Sequence, residues 1–477
     1  MNQEVLKSRH IVSDPLGVKP VYFCPREGSL VFSHDLRTLF ASSSVPVRPN
    51  EWAILEYLRK GRQDHTGQTF FEGISRLLPG QEVQIDSNGH LAIRTYWEPR
   101  VSSEIRSRQD DFSKIRHMFF EAIRRDLPSD GPIAVSLSGG LDSSAIVAGI
   151  SVICPDNEIK TFSVVYPEWK YLDESKYAEF VSQHFHTEHH LIAPKADDFW
   201  DALPQLVRCQ EEPFASISAY SDWEMMRHVR GEGMKKLIGG LGSDAVLCGE
   251  PRYVLYYLLT LLKRKEYSLL VTETLRGLDQ VRTLLNENLK DFTKYGYKIA
   301  PHFFSAISPR SSLSMPQRRD APDLLVDQMK IDISRHVLPS ELRCLYRNAR
   351  WFGIDTRSPF LYLPFFEYLS SLPIDMKLRN GWTKYALRRA LKGILPDEIR
   401  LRRDKVGFAT PAKEWFSDPL RDRLISFFNG SLRATRYYDV EALRVTLNSS
   451  KSLSEFQSAY IWRILNLEIW FQEFFPN

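Results

Sequence analysis

Cysteine is scarce in this chain of 477 residues: five in all, at Cys24, Cys154, Cys209, Cys248 and Cys344, an odd number with no CxxC pair. That spacing argues against a disulfide framework and against a zinc cluster, and it suits a reducing cytosol in which each thiol packs as a small apolar side chain. Long apolar runs are missing too. The stretches at 253–262 and 461–475 are too short, or too interrupted by charge, to span a bilayer. The first residues, MNQEVLKSRHIV, carry no apolar core of signal-peptide length. Charge of one sign is not in excess: the net charge is +4 and the Lys and Arg residues are scattered, apart from a short basic stretch at 401–405. Neither a nucleic acid nor a membrane surface is an expected partner. There is no internal repeat. A cytoplasmic location is the expectation.

What is present is an ordinary globular composition, 43% apolar and 26% charged, over a length that suits two or three domains. Three patterns follow one another. From residue 20 to 97 short strand-like runs (21–23, 30–32, 82–85, 91–93) are punctuated by Gly28, Pro79-Gly80 and Gly89, with one helix over 51–58. From about 112 strands and helices alternate: a helix over 112–125, a strand at 133–137, a helix over 143–152, a strand at 161–165, a helix over 176–184 and a strand at 236–238. That alternation predicts a parallel sheet with its ligand crevice at the strand carboxyl ends. From 252 onward helical spacing dominates, and 253–289 reads as a Leu-rich helical hairpin.

Two glycine-rich turns sit where that crevice would lie. In Ser138-Gly139-Gly140-Leu141-Asp142-Ser143-Ser144 the glycines let backbone approach an anion, three serines offer hydroxyls, and the following helix start directs its free N–H groups at the same point. Asp142 would repel phosphate oxygens unless a metal lies between them, and Mg²⁺ fits such a place. The plainer reading is a Gly-Gly turn with a Ser/Asp helix cap. The second turn, Gly239-Gly240-Leu241-Gly242-Ser243-Asp244, repeats the logic. Its carboxylate could share the metal, although alone it reads equally well as a strand-to-helix turn.

With these motifs the sequence resembles the ATP pyrophosphatases, and in its order of segments the asparagine synthetase group with its β-lactam synthetase and lasso-peptide cyclase relatives. The matching stretches run through SDPLGVKPVYF, LVFSHDLRTLFA, FFEGISRLLPGQ, EEPFASISAY, GGLGSD, RNARWFGIDTRSPF, WTKYALRRAL and LPDEIRLRRDKVGFATPAKEW. The resemblance implies a partial α+β glutaminase-like (Ntn) domain over residues 1–99. It also implies an α/β parallel-sheet ATP-pyrophosphatase domain over 108–477, mainly helical after about 251. It implies ATP and Mg²⁺. Ser138, Gly139, Gly140, Leu141, Asp142, Ser143, Ser144, Val164 and Gly240 would contact the nucleotide, Asp142 and Asp244 would hold the metal, and Lys384 would stabilise charge at the α-phosphate. Arg357 and Lys405 match family positions where pairing with a carboxylate and ligand binding are both open. His189 and His190 read as structural.

Four departures bear on the nitrogen donor. The chain enters the family pattern near Ser13-Asp14, without the N-terminal cysteine through which the family's glutaminase acts, and Cys24 is no replacement. Glutamine hydrolysis is therefore not expected of the chain as written. Leu241 stands where asparagine synthetases place a glutamate, Ala245 replaces an acidic residue, and Tyr362 stands where an aspartate is usual. The expected activity is ATP-dependent amide formation through an acyl-adenylate, most simply aspartate to asparagine. Alternatives are ring closure by an internal amine and a silent nucleotide-binding homologue. The partner expected is a small-molecule or peptide carboxylate, with a homodimer or a maturation partner left open.

Overall fold

The computed structural model describes residues 6–26, 28–41, 47–106, 111–278, 323–403, 410–449 and 452–476. Its first hundred residues form two antiparallel sheets. One has the order β1-β4-β3-β5 (Leu6–Ser8, Ser29–Ser33, Val21–Arg26, Ser75–Leu77), the other β2-β6-β7 (His10–Val12, Gln81–Ile85, Leu91–Thr95). Period-2 alternation sorts β3 between two cores. Val21 and Phe23 pack inward with Ile11, Leu30, Val83 and Ile85. Tyr22 and Cys24 face the other way, onto the helix Glu51–Lys60 and the last helix of the chain. The helix at 51 starts where Asn50 accepts from the Ala53 N–H and ends at Gly61.

The second part is built on a five-stranded parallel sheet, β10-β9-β8-β11-β12 (Glu188–Ile192, Ile159–Val164, Ile133–Ser136, Lys236–Ile238, Asp355–Arg357). Its central strands are apolar on both faces, as a sheet covered on both sides requires. Ile133 and Val135 pack against the helices Phe112–Asp126 and Leu141–Ile153. Ala134, Phe162 and Leu237 pack against Ala219–Gly231 and Val337–Phe352. The expected strand at 236–238 is present with those bounds, those at 133 and 161 have ends shifted by one or two residues, and the helix expected from 143 begins at Leu141. Sequence periodicity did not find β10 or β12. Both are edge strands, and β10 carries Glu188-His189-His190 on a half-exposed surface. The helical hairpin expected at 253–289 is present as Pro251–Lys263 and Tyr267–Arg276; its remainder from 279 lies outside the described residues.

The last helix, Glu455–Phe474, is closed at its start by a reciprocal Ser454–Gln457 capping box. Every residue from Ile461 to Phe471 is buried, which is the pattern of a helix threaded through a core. Its polar groups are placed accordingly. Arg463 Nη1 donates to Leu58 O at 2.8 Å, Trp470 Nε1 to Glu211 O at 3.0 Å, and Glu468 accepts from the Arg433 and Ala434 N–H groups. Among the described residues no helix is long and apolar enough to cross a membrane.

The antiparallel sheets and the parallel-sheet part are tied by buried ion pairs. Arg347 reaches Asp35 and Glu211, each at 2.8 Å, Arg343 reaches Asp64 at 2.9 Å, and Arg76 reaches Glu212 at 2.8 Å. These side chains are all nearly inaccessible to solvent.

Candidate active site

β8 delivers the chain to Ser138 at the carboxyl end of the sheet, and the loop that follows is held from within. The Ser138 N–H donates to Ser143 Oγ at 3.1 Å, the two serine hydroxyls lie 3.1 Å apart, and the Gly140 N–H donates to Ser138 Oγ at 3.2 Å. Gly139 has φ +77°, and a Cβ there would stand 2.7 Å from the Ala178 backbone nitrogen. The loop therefore lies flat against the helix Ser175–His184, as only glycine allows. Arg402 closes the other side: its Nη1 donates to Gly139 O at 3.2 Å, and its guanidinium lies 3.7 Å from the Tyr177 ring centroid and pairs with Glu174.

β11 brings the second turn beside the first. Gly240 is placed so that a Cβ would come within 2.9 Å of Asp142 Cβ, and this close approach sets Asp142 and Asp244 facing one another. Lys384 enters between them. Its ammonium pairs with Asp142, lies 2.6 Å from Asp244 Oδ1 and donates to Ser243 Oγ at 3.2 Å. The lysine is only 3% exposed and has a left-handed backbone with φ 53°. Gly249 makes the space for this triad, since a Cβ there would meet Asp244 Oδ1 at 1.8 Å and Lys384 Cε at 2.1 Å.

Ser138, Gly140, Leu141, Asp142, Ser143, Val164, Gly240, Asp244 and Lys384 line one cavity of about 2030 Å³, whereas Gly139 and Ser144, also expected at the nucleotide, are not among its lining residues. Val164 is the last residue of β9. Arg357 ends β12, lines the same cavity and is paired with Asp355 at 2.9 Å. Lys405 lies outside the described residues. His190 stacks on Phe162 with ring centroids 4.8 Å apart. Glu188, His190 and Glu232 could together reach one cation, but Lys160 already bonds both glutamates, at 3.0 and 3.4 Å. Cys24 is buried in β3 and burial pushes its thiol up, so it has the character of a packing residue.

Three cationic residues of the cavity were given no role from sequence. Arg388 and Arg403 hold the Trp382 ring, at 5.3 and 4.1 Å from its centroid, and Arg402 pins the first loop. All three line the cavity. Burial lowers the Arg388 guanidinium to about 10, with Asp142 acting against that shift. The signal available was the tryptophan in WTKYALRR together with the basic stretch at 401–405. Gly249 was legible only as one more glycine.

Comparison with known proteins decides the family. The asparagine synthase family model matches residues 114–472. The chain belongs to the asparagine synthase family. Ahead of that match, residues 3–97 fit the glutamine amidotransferase domain model. The asparagine synthase architecture is thus an antiparallel amidotransferase domain followed by a parallel-sheet adenine nucleotide α-hydrolase domain with a helical C-terminal part. Asparagine synthetase [glutamine-hydrolyzing] 1 of Bacillus subtilis is 22% identical over 97% of this chain and 76% of its own length. Asparagine synthetase [glutamine-hydrolyzing] 3 of the same organism is 25% identical over 82% of this chain and 63% of its own. A fungal relative, amidase chyE of Penicillium rubens, is 24% identical over 86% of this chain and 69% of its own length. Membership of the asparagine synthase family makes this a ligase-type, ATP-using protein; at such identities it does not name the substrate.

Proposed function

We propose that this chain activates a carboxylate as its acyl-adenylate, releasing pyrophosphate, and passes the acyl group to an amine or ammonia to form an amide. The observation that carries this reading is the convergence of Asp142, Asp244 and Lys384 on one point beside the 138–144 loop, with Arg388, Arg402 and Arg403 on the same cavity.

Asp142 and Asp244 fit a magnesium site. Asp142 Oδ1 is buried with no hydrogen-bond partner among the described residues, and both carboxylates already face a cation in Lys384. When bound, Mg²⁺ would neutralise phosphate oxygens beside them. The chain's own groups account for the rest. The N-terminus of the helix Leu141–Ile153 presents backbone N–H groups to the leaving pyrophosphate, and the glycines let the loop come close to it. In the first step a substrate carboxylate oxygen bonds to the α-phosphorus as the bond to the bridging oxygen breaks, and Lys384 and the arginines offset the charge that gathers there. In the second an amine nitrogen attacks the acyl carbon, AMP departs and the amine loses a proton.

Aspartate with ammonia is the simplest pairing. A second reading, closure by an amine within the same substrate, is favoured by Leu241. Its uncharged side chain lines the cavity and packs against the apolar core at the turn where a base for ammonia would be useful, and the cavity's volume exceeds what pockets for small ligands commonly enclose. Pyrophosphate release with ATP and Mg²⁺, measured with aspartate plus ammonium, with aspartate plus glutamine and with carboxyl-terminal peptides, separates them. Asparagine formed from ammonium supports the first reading. Release only with a peptide supports the second, and no release with any acceptor counts against both.

A further inference from the structure

Lys384 is seated with unusual care for a lysine. Its backbone is left-handed, its N–H donates to Leu247 O at 3.2 Å, and its ammonium is enclosed by Asp142, Asp244 and Ser243. Gly249 supplies the room: any side chain there would overlap both the lysine stem and the Asp244 carboxylate. Two carboxylates, one hydroxyl and one side-chain-free position thus define a seat for a single positive charge. A divalent ion held by the same two carboxylates, whether through the unpartnered Asp142 Oδ1 or through the oxygens the ammonium now uses, would sit close beside that ammonium. Two cations at contact distance in a buried site repel strongly.

We propose that Lys384 is the resident counter-cation of the Asp142–Asp244 pair, and that its ammonium and a divalent ion occupy that pair alternately. Entry of the ion turns the ammonium off the pair and into the cavity, which Ser138, Gly140 and Arg388 also line. The pair then takes a free divalent ion weakly, because the displaced ammonium gives up both carboxylates for a cavity that Arg388, Arg402 and Arg403 already line, and takes it well when an anion arrives with it. This rests on the reading of Asp142 and Asp244 as the metal carboxylates, but it requires neither ATP turnover nor a known substrate.

The test uses Mn²⁺ alone, without nucleotide, on the full chain, with bound ion counted by electron paramagnetic resonance. Lys384→Met, close in size and uncharged, is expected to bind one Mn²⁺ at least tenfold more tightly than the unmodified chain, and Asp142→Asn added to it is expected to abolish the gain. Equal or weaker binding by a folded Lys384→Met protein overturns the proposal. Should that variant not fold, acylation of Lys384 in the unmodified protein, followed by mass spectrometry, replaces it. Labelling should rise in step with Mn²⁺ occupancy of the site, and occupancy with unchanged or reduced labelling overturns the proposal. Failure of the amide-forming reading would show separately, as absence of pyrophosphate release while the Mn²⁺ result stands.

Discussion

Gly249 faces Asp244 so closely that a Cβ on the glycine would stand 1.8 Å from the carboxylate Oδ1. The contact is steric and not conformational, so even alanine forces the Asp244 carboxylate or the Lys384 stem to move. Gly249→Ala is expected to lower stability by about 1–3 kcal/mol and to reduce pyrophosphate release far more than that loss explains. Thermal melting together with the release assay checks it; full activity in the alanine variant would show that the triad tolerates displacement.

The triad itself gives a second expectation. Asp142→Asn and Lys384→Ala should each reduce pyrophosphate release by roughly 10²–10³-fold, the scale seen when a group that stabilises transition-state charge is removed. Neither side chain belongs to the apolar cores, so circular dichroism should be unchanged. Retained release in the Asp142 variant would remove the carboxylate from the mechanism.

Arg347 lies between Asp35 and Glu211, all three buried. Taking away one partner of such a network leaves uncompensated charge in a dry place. Arg347→Met should therefore cost about 3–5 kcal/mol, and because Asp35 and Glu211 belong to different domains, the loss should loosen the contact between them. Denaturant unfolding reads the first effect, and limited proteolysis between residues 97 and 112 reads the second.

Asp222, in the first turn of the helix Ala219–Gly231, lines the cavity, and burial pushes its carboxyl up to about 7. Between its unfolded value near ~4 and 7 the folded chain holds a proton that the unfolded chain releases. Its contribution to stability is thus greatest below the unfolded value and is lost as pH rises through the folded one. Asp222→Asn should match the unmodified protein at pH 4 and be more stable at pH 8, by up to roughly 4 kcal/mol. A difference that does not change with pH would contradict this.

Much of the nucleotide half was legible from sequence, because its signals are local. An apolar strand, two glycines and a helix start lie within twenty residues around Ser138, and Gly239–Asp244 repeats them. What was not legible depends on distant partners. β12 is three residues with charged ends, and only its pairing with β11 makes it a strand. Arg388 and Arg403 gain a role only when the fold brings both guanidinium groups against the Trp382 ring, and Gly249 gains one only beside a lysine 135 positions away. The edge strand β10 hides because Glu188, His189 and His190 are polar residues on a half-exposed surface.

The most direct test of the account is the fate of ATP itself. Phosphorus NMR of the protein with ATP, Mg²⁺ and a productive carboxylate and amine should show AMP and pyrophosphate appearing together in equal amounts, with neither formed by the Asp142→Asn variant. ADP and inorganic phosphate as the products, or equal turnover in that variant, would contradict the assignment of the 138–144 loop, Asp142, Asp244 and Lys384 as an adenylating site.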